Sequence, residues 1–214
     1  MAGVGAVVVA AGRGDRFGTA KQFLELDGER LVDRAVEACR AVSDEVVVVL
    51  PADTVWAGPA VDAAVAGRAT RSGSVRAGLA ALRGEHDVVV VHDAARPLAS
   101  RALFDAVIDA VRAGADAAVP GVPVADTLKR IDGTRVVETL DRDTLVAVQT
   151  PQAFRVSVLR AAHAHDGDAT DDAALVEAAG ATVVVVPGEA SNFKVTEPAD
   201  LHRAAAVLAR DASR

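Results

Sequence analysis

The apolar positions of this chain gather in short solid runs set between stretches that repeat at helical spacing. Val4 to Val9, Glu45 to Leu50, Asp87 to His92 and Thr182 to Val186 are each dominated by valine. A strand with one face in water would alternate with polar residues. These runs therefore predict strands buried on both faces, all too short to span a membrane. Ala115 to Val119 and Leu145 to Gln149 read as two further short strands. Between the runs, Arg30 to Val42 carries Leu31, Val32, Ala35, Val36 and Cys39 on one helical face. Arg101 to Ala113 carries Leu103, Val107, Ile108 and Val111, with Ser100 as its N-cap and Gly114 as its stop. Alanine-rich Thr54 to Ala66 is a predicted helix, as are Ser74 to Leu82 and Val156 to His163, while Gly67 to Gly73 is a polar loop. Thr170 caps a further helix to Ala179, with Asp171 and Asp172 in its first turn, and Pro198 opens a terminal one to Ala209. Strands alternating with helices predict an α/β domain over residues 1–214: a mostly parallel twisted sheet with helices on both faces.

The pattern changes after Pro120. Val124 to Ile131 and Thr134 to Leu140 flank Asp132-Gly133, a strong hairpin signal. Both flanks are polar at alternate positions, and a doubly wound sheet has no place for them. A projecting β-hairpin arm at about 121–144 is expected, serving as a lid or a dimer contact.

Composition narrows the setting. Of 214 residues, 51% are apolar and 25% charged, enough for one large core. The net charge of −7 excludes a domain-wide basic field, so no nucleic acid is expected as partner, and any cationic site must be local. Cys39 is the lone cysteine and falls on the apolar stripe of its helix, where burial outweighs a nucleophilic role. No charged segment precedes the apolar start, so a signal peptide is not expected and a cytoplasmic setting is.

Chemistry collects where strands end. After the first run, Gly12, Gly14 and Gly18 alternate with Arg13, Arg16 and then Lys21. Glycines let backbone N–H groups approach an anion, and the cations neutralise it, so the stretch reads as a triphosphate loop. It is neither the dinucleotide fingerprint, whose third glycine comes one residue earlier, nor a P-loop. Asp93 and Arg96 follow the third valine run, and parallel strands would bring them to the same edge. Asp93 can take Mg²⁺ or a substrate hydroxyl there, and Arg96 a substrate oxygen; His92 reads as a satisfied strand-end residue. Lys194 follows the last strand and Arg142 the arm, each a phosphate contact or a solvated cation. His163, His165, Asp166, Asp168, Asp171 and Asp172 match no metal spacing and read as a solvated loop with helix-capping acids.

Taken together these fragments resemble the 2-C-methyl-D-erythritol 4-phosphate cytidylyltransferase family of the non-mevalonate isoprenoid pathway. The resemblance runs nearly end to end. It rests on Ala10 to Arg16 with Lys21-Gln22; Ser74-Val75; His92-Asp-Ala-Ala-Arg-Pro97; Asp126-Thr127-Leu-Lys129; Asp141-Arg142; Thr150-Pro-Gln152; Thr170-Asp171; and Asn192-Phe-Lys-Val-Thr196. It implies a Rossmann-like fold, a homodimer joined through the β-arm, CTP and methylerythritol phosphate as substrates, and Mg²⁺ or another divalent cation. It further implies that Arg16 and Lys21 stabilise the transition state at the α-phosphate, while Arg142 and Lys194 position the second substrate. Asp93, Arg96, Thr127 and Thr150 would line that second pocket, with Thr127 and Arg142 arriving from the partner subunit. Ala10, Ala11, Gly12, Gly14, Arg71, Ser74 and Ala94 would hold the nucleotide, the metal riding mainly on the CTP phosphates with Asp93 as a candidate ligand. Two positions depart from the family: Ala20 stands where proline usually precedes the Lys-Gln pair, and Gly67-Arg68 replaces paired glycines.

The implied chemistry suits these residue types. A sugar phosphate attacks the α-phosphorus and expels pyrophosphate, and preorganised cations stabilise the charge that builds there. A ribitol 5-phosphate cytidylyltransferase would share the nucleotide loop and differ only in the second substrate. A dinucleotide-dependent oxidoreductase would need an acidic ribose reader after the second strand, and Asp53, beyond Pro51, is poorly placed for it. A non-catalytic nucleotide-binding protein would not need both Arg16 and Lys21.

Overall fold

In the computed structural model, residues 3–12, 17, 20–164 and 169–211 are described. In chain order the strands are β1 (Gly3–Val9), β2 (Glu25–Leu26), β3 (Glu29–Arg30), β4 (Glu45–Leu50), β5 (Ala63–Ala66), β6 (His86–Asp93), β7 (Ala117–Pro123), β8 (Lys129–Asp132), β9 (Arg135–Thr139), β10 (Val146–Val148), β11 (Gln152–Arg155) and β12 (Val183–Pro187). The helices are α1 (Leu31–Arg40), α2 (Arg71–Ala81), α3 (Arg101–Arg112), α4 (Val156–Ala162), α5 (Asp172–Ala178) and α6 (Pro198–Asp211). Among the described residues no helix is long and apolar enough to cross a membrane.

The main sheet runs β5-β4-β1-β6-β11-β7, and β10 and β12 also pair with β7. The β1·β4, β1·β6, β4·β5 and β7·β12 pairs are parallel, while β11 and β10 run antiparallel to their neighbours. Alternation along the valine runs feeds two separate cores. Val4, Ala6, Val8, Val46, Val48, Val88 and Val90 meet α1 and α3 on one face. Val7, Val47, Val49, Val89 and Val91 meet α2, α4 and α5 on the other. Solid runs were required because both faces are covered. Cys39 lies wholly buried in the first of these cores, and burial pushes its thiol up, out of reach of nucleophilic work.

Several expectations need correction. Thr54 to Ala66 is not a helix: its end is β5, which pairs Ala63 with Val47, and the rest is irregular chain with bends at Gly58, Pro59 and Asp62. Pro59 removes a donor from any helical ladder, whereas β4 offers a free edge, and the Asp62 carboxylate accepts the Val46 N–H at 2.8 Å. Helix α2 starts three residues before Ser74, because the Thr70 hydroxyl caps the Gly73 N–H at 3.1 Å. The cap of α5 is Asp171, accepting from the Ala174 N–H at 3.0 Å, and not Thr170. Two features went unpredicted. One is β11, which follows the Thr150-Pro151 peptide and separates β6 from β7. The other is the β2–β3 hairpin, turned on Asp27 and Gly28 with φ of 56° and 77°.

The expected arm is present as a separate two-stranded sheet of β8 and β9, with Gly133 at φ 56° in its turn. Every residue of both strands is exposed, including Ile131, Val136 and Val137.

Candidate active site

The loops after β1, β5 and β6 meet at the carboxyl edge of the sheet, where ligands of open α/β folds bind. Ala10 N–H donates to Val49 O at 2.8 Å, Ala94 N–H to Val9 O at 3.1 Å, and Gly67 N–H to Leu50 O at 2.7 Å. These bonds pin Ala10, Ala11, Gly12, Ala94 and Gly67 side by side. A Cβ on Gly67 would fall 2.3 Å from that of Ala11, so only glycine allows this approach. The Ser74 hydroxyl accepts the Arg68 N–H at 3.0 Å and donates to Thr70 O at 3.0 Å, which fixes the loop beside Gly67. Arg16 and Gly14, assigned to the nucleotide from sequence, lie outside the described residues.

Lys21 reaches the same edge from the far end of the glycine loop. Its Nζ donates to Val195 O at 2.6 Å, and Gln22 Nε2 donates to Gly12 O at 3.1 Å. Val195 N–H in turn donates to Ala95 O at 2.8 Å. The loop carrying Lys194 is thereby stitched to the ends of both β1 and β6.

Asp93 sits at the centre. Lys194 Nζ lies 2.7 Å from its Oδ2, and Arg71 Nη2 lies 3.2 Å from its Oδ1. Burial alone would raise this carboxyl, but Arg71, Lys194 and Arg96 outweigh burial and hold it well below the ordinary carboxylate range. Asp93 is thus a fixed anion in a ring of cations. Arg71 does not project toward open space: its other branch, Nη1, contacts Asp172 Oδ2 at 2.6 Å.

A second set of bonds positions the backbone around Asp93. The Thr150 hydroxyl oxygen accepts the Asp93 N–H at 3.0 Å and lies 3.2 Å from His92 Nδ1. His92 Nε2 lies 3.1 Å from Arg96 O, and a carbonyl can only accept, so Nε2 carries the proton. Nδ1 then accepts from the Thr150 hydroxyl. Burial lowers the His92 imidazole to about 4, which keeps it neutral in this arrangement. Arg96 donates to Asn192 O at 2.8 Å and Val148 O at 3.3 Å, and Asn192 Nδ2 donates to Thr150 O at 2.9 Å. His92 is indeed a satisfied residue, and what satisfies it ties Thr150 to Arg96.

Thr127 and Arg142 stand apart from this cluster. Both are exposed on the arm segment, where Arg142 Nη1 donates to Ala125 O. Among the described residues no hydrogen bond or ion pair joins either of them to Asp93, Lys194 or Arg96. Sequence reasoning missed Gln149 and gave Asn192 no role beyond its place in a motif; the two are buried amides that bind each other, and Gln149 also binds the Glu189 backbone. The same reasoning read His163 as part of a solvated loop and Asp172 only as an acid in the first turn of its helix, where Asp172 does stand. Both are buried and 2.9 Å apart, paired on the back of Arg71, while His165, Asp166 and Asp168 lie outside the described residues. Among the described residues no group of three or more His, Cys, Asp or Glu is placed to hold a metal ion.

Comparison with known proteins gives this edge its relatives. The profile of the family described as 2-C-methyl-D-erythritol 4-phosphate cytidylyltransferase, IspD, matches residues 4–210. The chain is 48% identical over 217 residues to the enzyme of that name from Frankia casuarinae, covering 97% of this chain and 82% of the relative. It is 48% identical over 226 residues to the bifunctional enzyme IspD/IspF of Clavibacter michiganensis. There it covers 98% of this chain but 55% of the relative, so the chain spans about half the length of its bifunctional relatives. The crystal structure of 2-C-methyl-D-erythritol 4-phosphate cytidylyltransferase from Thermus thermophilus superposes with a TM-score of 0.83 at 38% identity. That superposition covers 95% of this chain and 98% of the other. A profile match along nearly the whole length, with relatives close to half identical, means that the chain belongs to the 2-C-methyl-D-erythritol 4-phosphate cytidylyltransferase family.

Proposed function

We propose that this chain transfers the cytidylyl group of CTP to 2-C-methyl-D-erythritol 4-phosphate. The products are pyrophosphate and 4-diphosphocytidyl-2-C-methyl-D-erythritol. The observation that carries this reading is the convergence of the glycine-loop strand end, Asp93, Arg96 and Lys194 at one sheet edge, in a chain of this family. An oxygen of the sugar phosphate attacks the α-phosphorus, a new P–O bond forms, the α–β bridging bond breaks, and pyrophosphate leaves. No general base is required, because a phosphate monoester with a second pKa of about 6 is already largely ionised at neutral pH.

The residues divide by the substrate they would hold. Ala10, Ala11, Gly12, Gly14, Ser74 and Ala94 form the nucleotide side, with Arg16 and Lys21 at the α-phosphate. Lys194, Arg96 and Thr150 form the side of the second substrate. Arg71, assigned to the nucleotide from sequence, is engaged by two carboxylates and acts through Asp93 rather than by its own contact with substrate. A magnesium ion would be carried mainly by the triphosphate; Asp93 is the carboxylate at hand, and its two oxygens already face Arg71 and Lys194. When bound it polarises the phosphate under attack. The exposed arm, with Ile131, Val136 and Val137 in solvent, suits a homodimer in which Thr127 and Arg142 of the partner subunit complete the site. A cytoplasmic setting accords with a single, buried cysteine.

The test is pyrophosphate release with CTP and Mg²⁺, comparing methylerythritol 4-phosphate with ribitol 5-phosphate. Release with the first is expected. Release with ribitol 5-phosphate alone would reassign the second substrate.

A further inference from the structure

We propose that Asp172, braced by His163, is a positioning residue that aims Arg71 so that Asp93 keeps one oxygen for Lys194. The inference rests on the proposed cytidylyl transfer, in which Lys194 binds the second substrate. It concerns residues from α5 and the end of α4, on the side of Arg71 away from Lys194.

Four side chains of alternating charge form a line. Asp172 is fully buried at the first position of α5, and its two oxygens are divided between His163 Nε2 at 2.9 Å and Arg71 Nη1 at 2.6 Å. Arg71 then reaches Asp93 by Nε at 3.3 Å and Nη2 at 3.2 Å, both to Oδ1. Oδ2 is left to Lys194 at 2.7 Å. The Asp172 end of the line is wholly buried, and the Lys194 side chain at the other end is 39% exposed.

The distances say which partner sets the orientation of Arg71. Its bond to Asp172 is short, and its bonds to Asp93 are long and share one acceptor. A guanidinium facing a single carboxylate prefers the two-pronged grip, one N–H to each oxygen. Asp172 prevents that grip by holding Nη1 on the opposite side. Without it, Arg71 is free to turn onto both oxygens of Asp93 and displace Lys194. A buried charge left without its partner also rearranges to find another, which drives the same movement. Asp172 therefore acts on the second substrate through three successive ion pairs, the last of them made by Lys194.

The experiment compares wild type with Asp172→Asn, which keeps the shape and removes the charge, and with His163→Leu, which removes the brace alone. Two readouts are taken. Acetylation of Lys194 is followed by mass spectrometry, with exposed Lys129 on the arm as internal reference; it needs no turnover. Steady-state pyrophosphate release gives KM for each substrate. Expected for Asp172→Asn is severalfold faster labelling of Lys194 at unchanged Lys129 labelling. The same variant should raise KM for the sugar phosphate on the order of tenfold to a hundredfold, with KM for CTP moving much less. His163→Leu should shift both readouts the same way by a smaller factor, and it decides the matter should Asp172→Asn fail to fold. Unchanged Lys194 labelling in the folded variants would overturn the proposal, as would equal loss for both substrates. A wild type that labels as expected but releases no pyrophosphate would refute the transferase reading and leave the placement of Lys194 standing.

Discussion

His92 shows how much a single buried residue can fix. It is fully buried, packs its ring 5.1 Å from that of Phe104, and has one hydrogen-bonding task for each nitrogen. Its value of about 4 in the folded protein lies below the roughly 6.5 of an unfolded histidine. As pH falls, the unfolded chain takes up the proton first, so a contribution fully present above about 6.5 is lost on the way down to about 4. The difference corresponds to at most about 3 kcal/mol. Guanidinium unfolding across this window should show wild-type stability falling with acid, and His92→Gln should lose that part of the slope. Asp93 acts in a different window. Its folded value is depressed, so its contribution persists above about 4 and is lost only below it.

At the scale of elements, the position of α2 depends on close approach. A Cβ on Gly78 would lie 2.4 Å from Val7 Cγ1 and 3.0 Å from Val49 Cγ2, against the strands that carry the site. Alanine would favour the helix by about 1 kcal/mol, but overpacking a full core costs about 1–3 kcal/mol. Val7 is wholly buried and branched, with no room to yield. The packing cost wins. Gly78→Ala is expected to destabilise by about 1–2 kcal/mol, read from the urea midpoint. Displacement of α2 would also move Arg71 and Ser74, the two site residues it carries.

At the scale of the whole molecule, the arm is the element its own chain leaves uncovered. Isolated two-stranded hairpins are marginal in water, and apolar side chains on one need a partner surface. In the proposed dimer that surface belongs to the second copy. Sedimentation equilibrium should then give a dimer for wild type and a monomer for the double variant Ile131→Lys, Val136→Lys. The thermal midpoint of the body should be nearly unchanged and turnover reduced, because Thr127 and Arg142 of the partner subunit would no longer reach Asp93 and Lys194. A monomeric wild type with full turnover would contradict the shared site.

The sequence by itself determined the order of most strands and helices, because valine runs and helical stripes are local patterns that burial on two faces enforces. It also placed Asp93, Arg96 and Lys194 at one edge, since parallel strands must present their carboxyl ends together. The Ser100 cap and the Asp132-Gly133 turn were legible for the same reason: their chemistry is complete within a few residues. The tertiary structure alone decided whether alanine-rich Ala63–Ala66 would be strand or helix, because the free edge of β4 settles what local propensity leaves open. It alone inserted antiparallel β11 between β6 and β7. And it alone turned Asp172 from a helix-start acid into a buried partner of Arg71, a residue 101 positions away in the chain. No local pattern encodes that contact. It exists because α2 and α5 pack on the same face of the sheet.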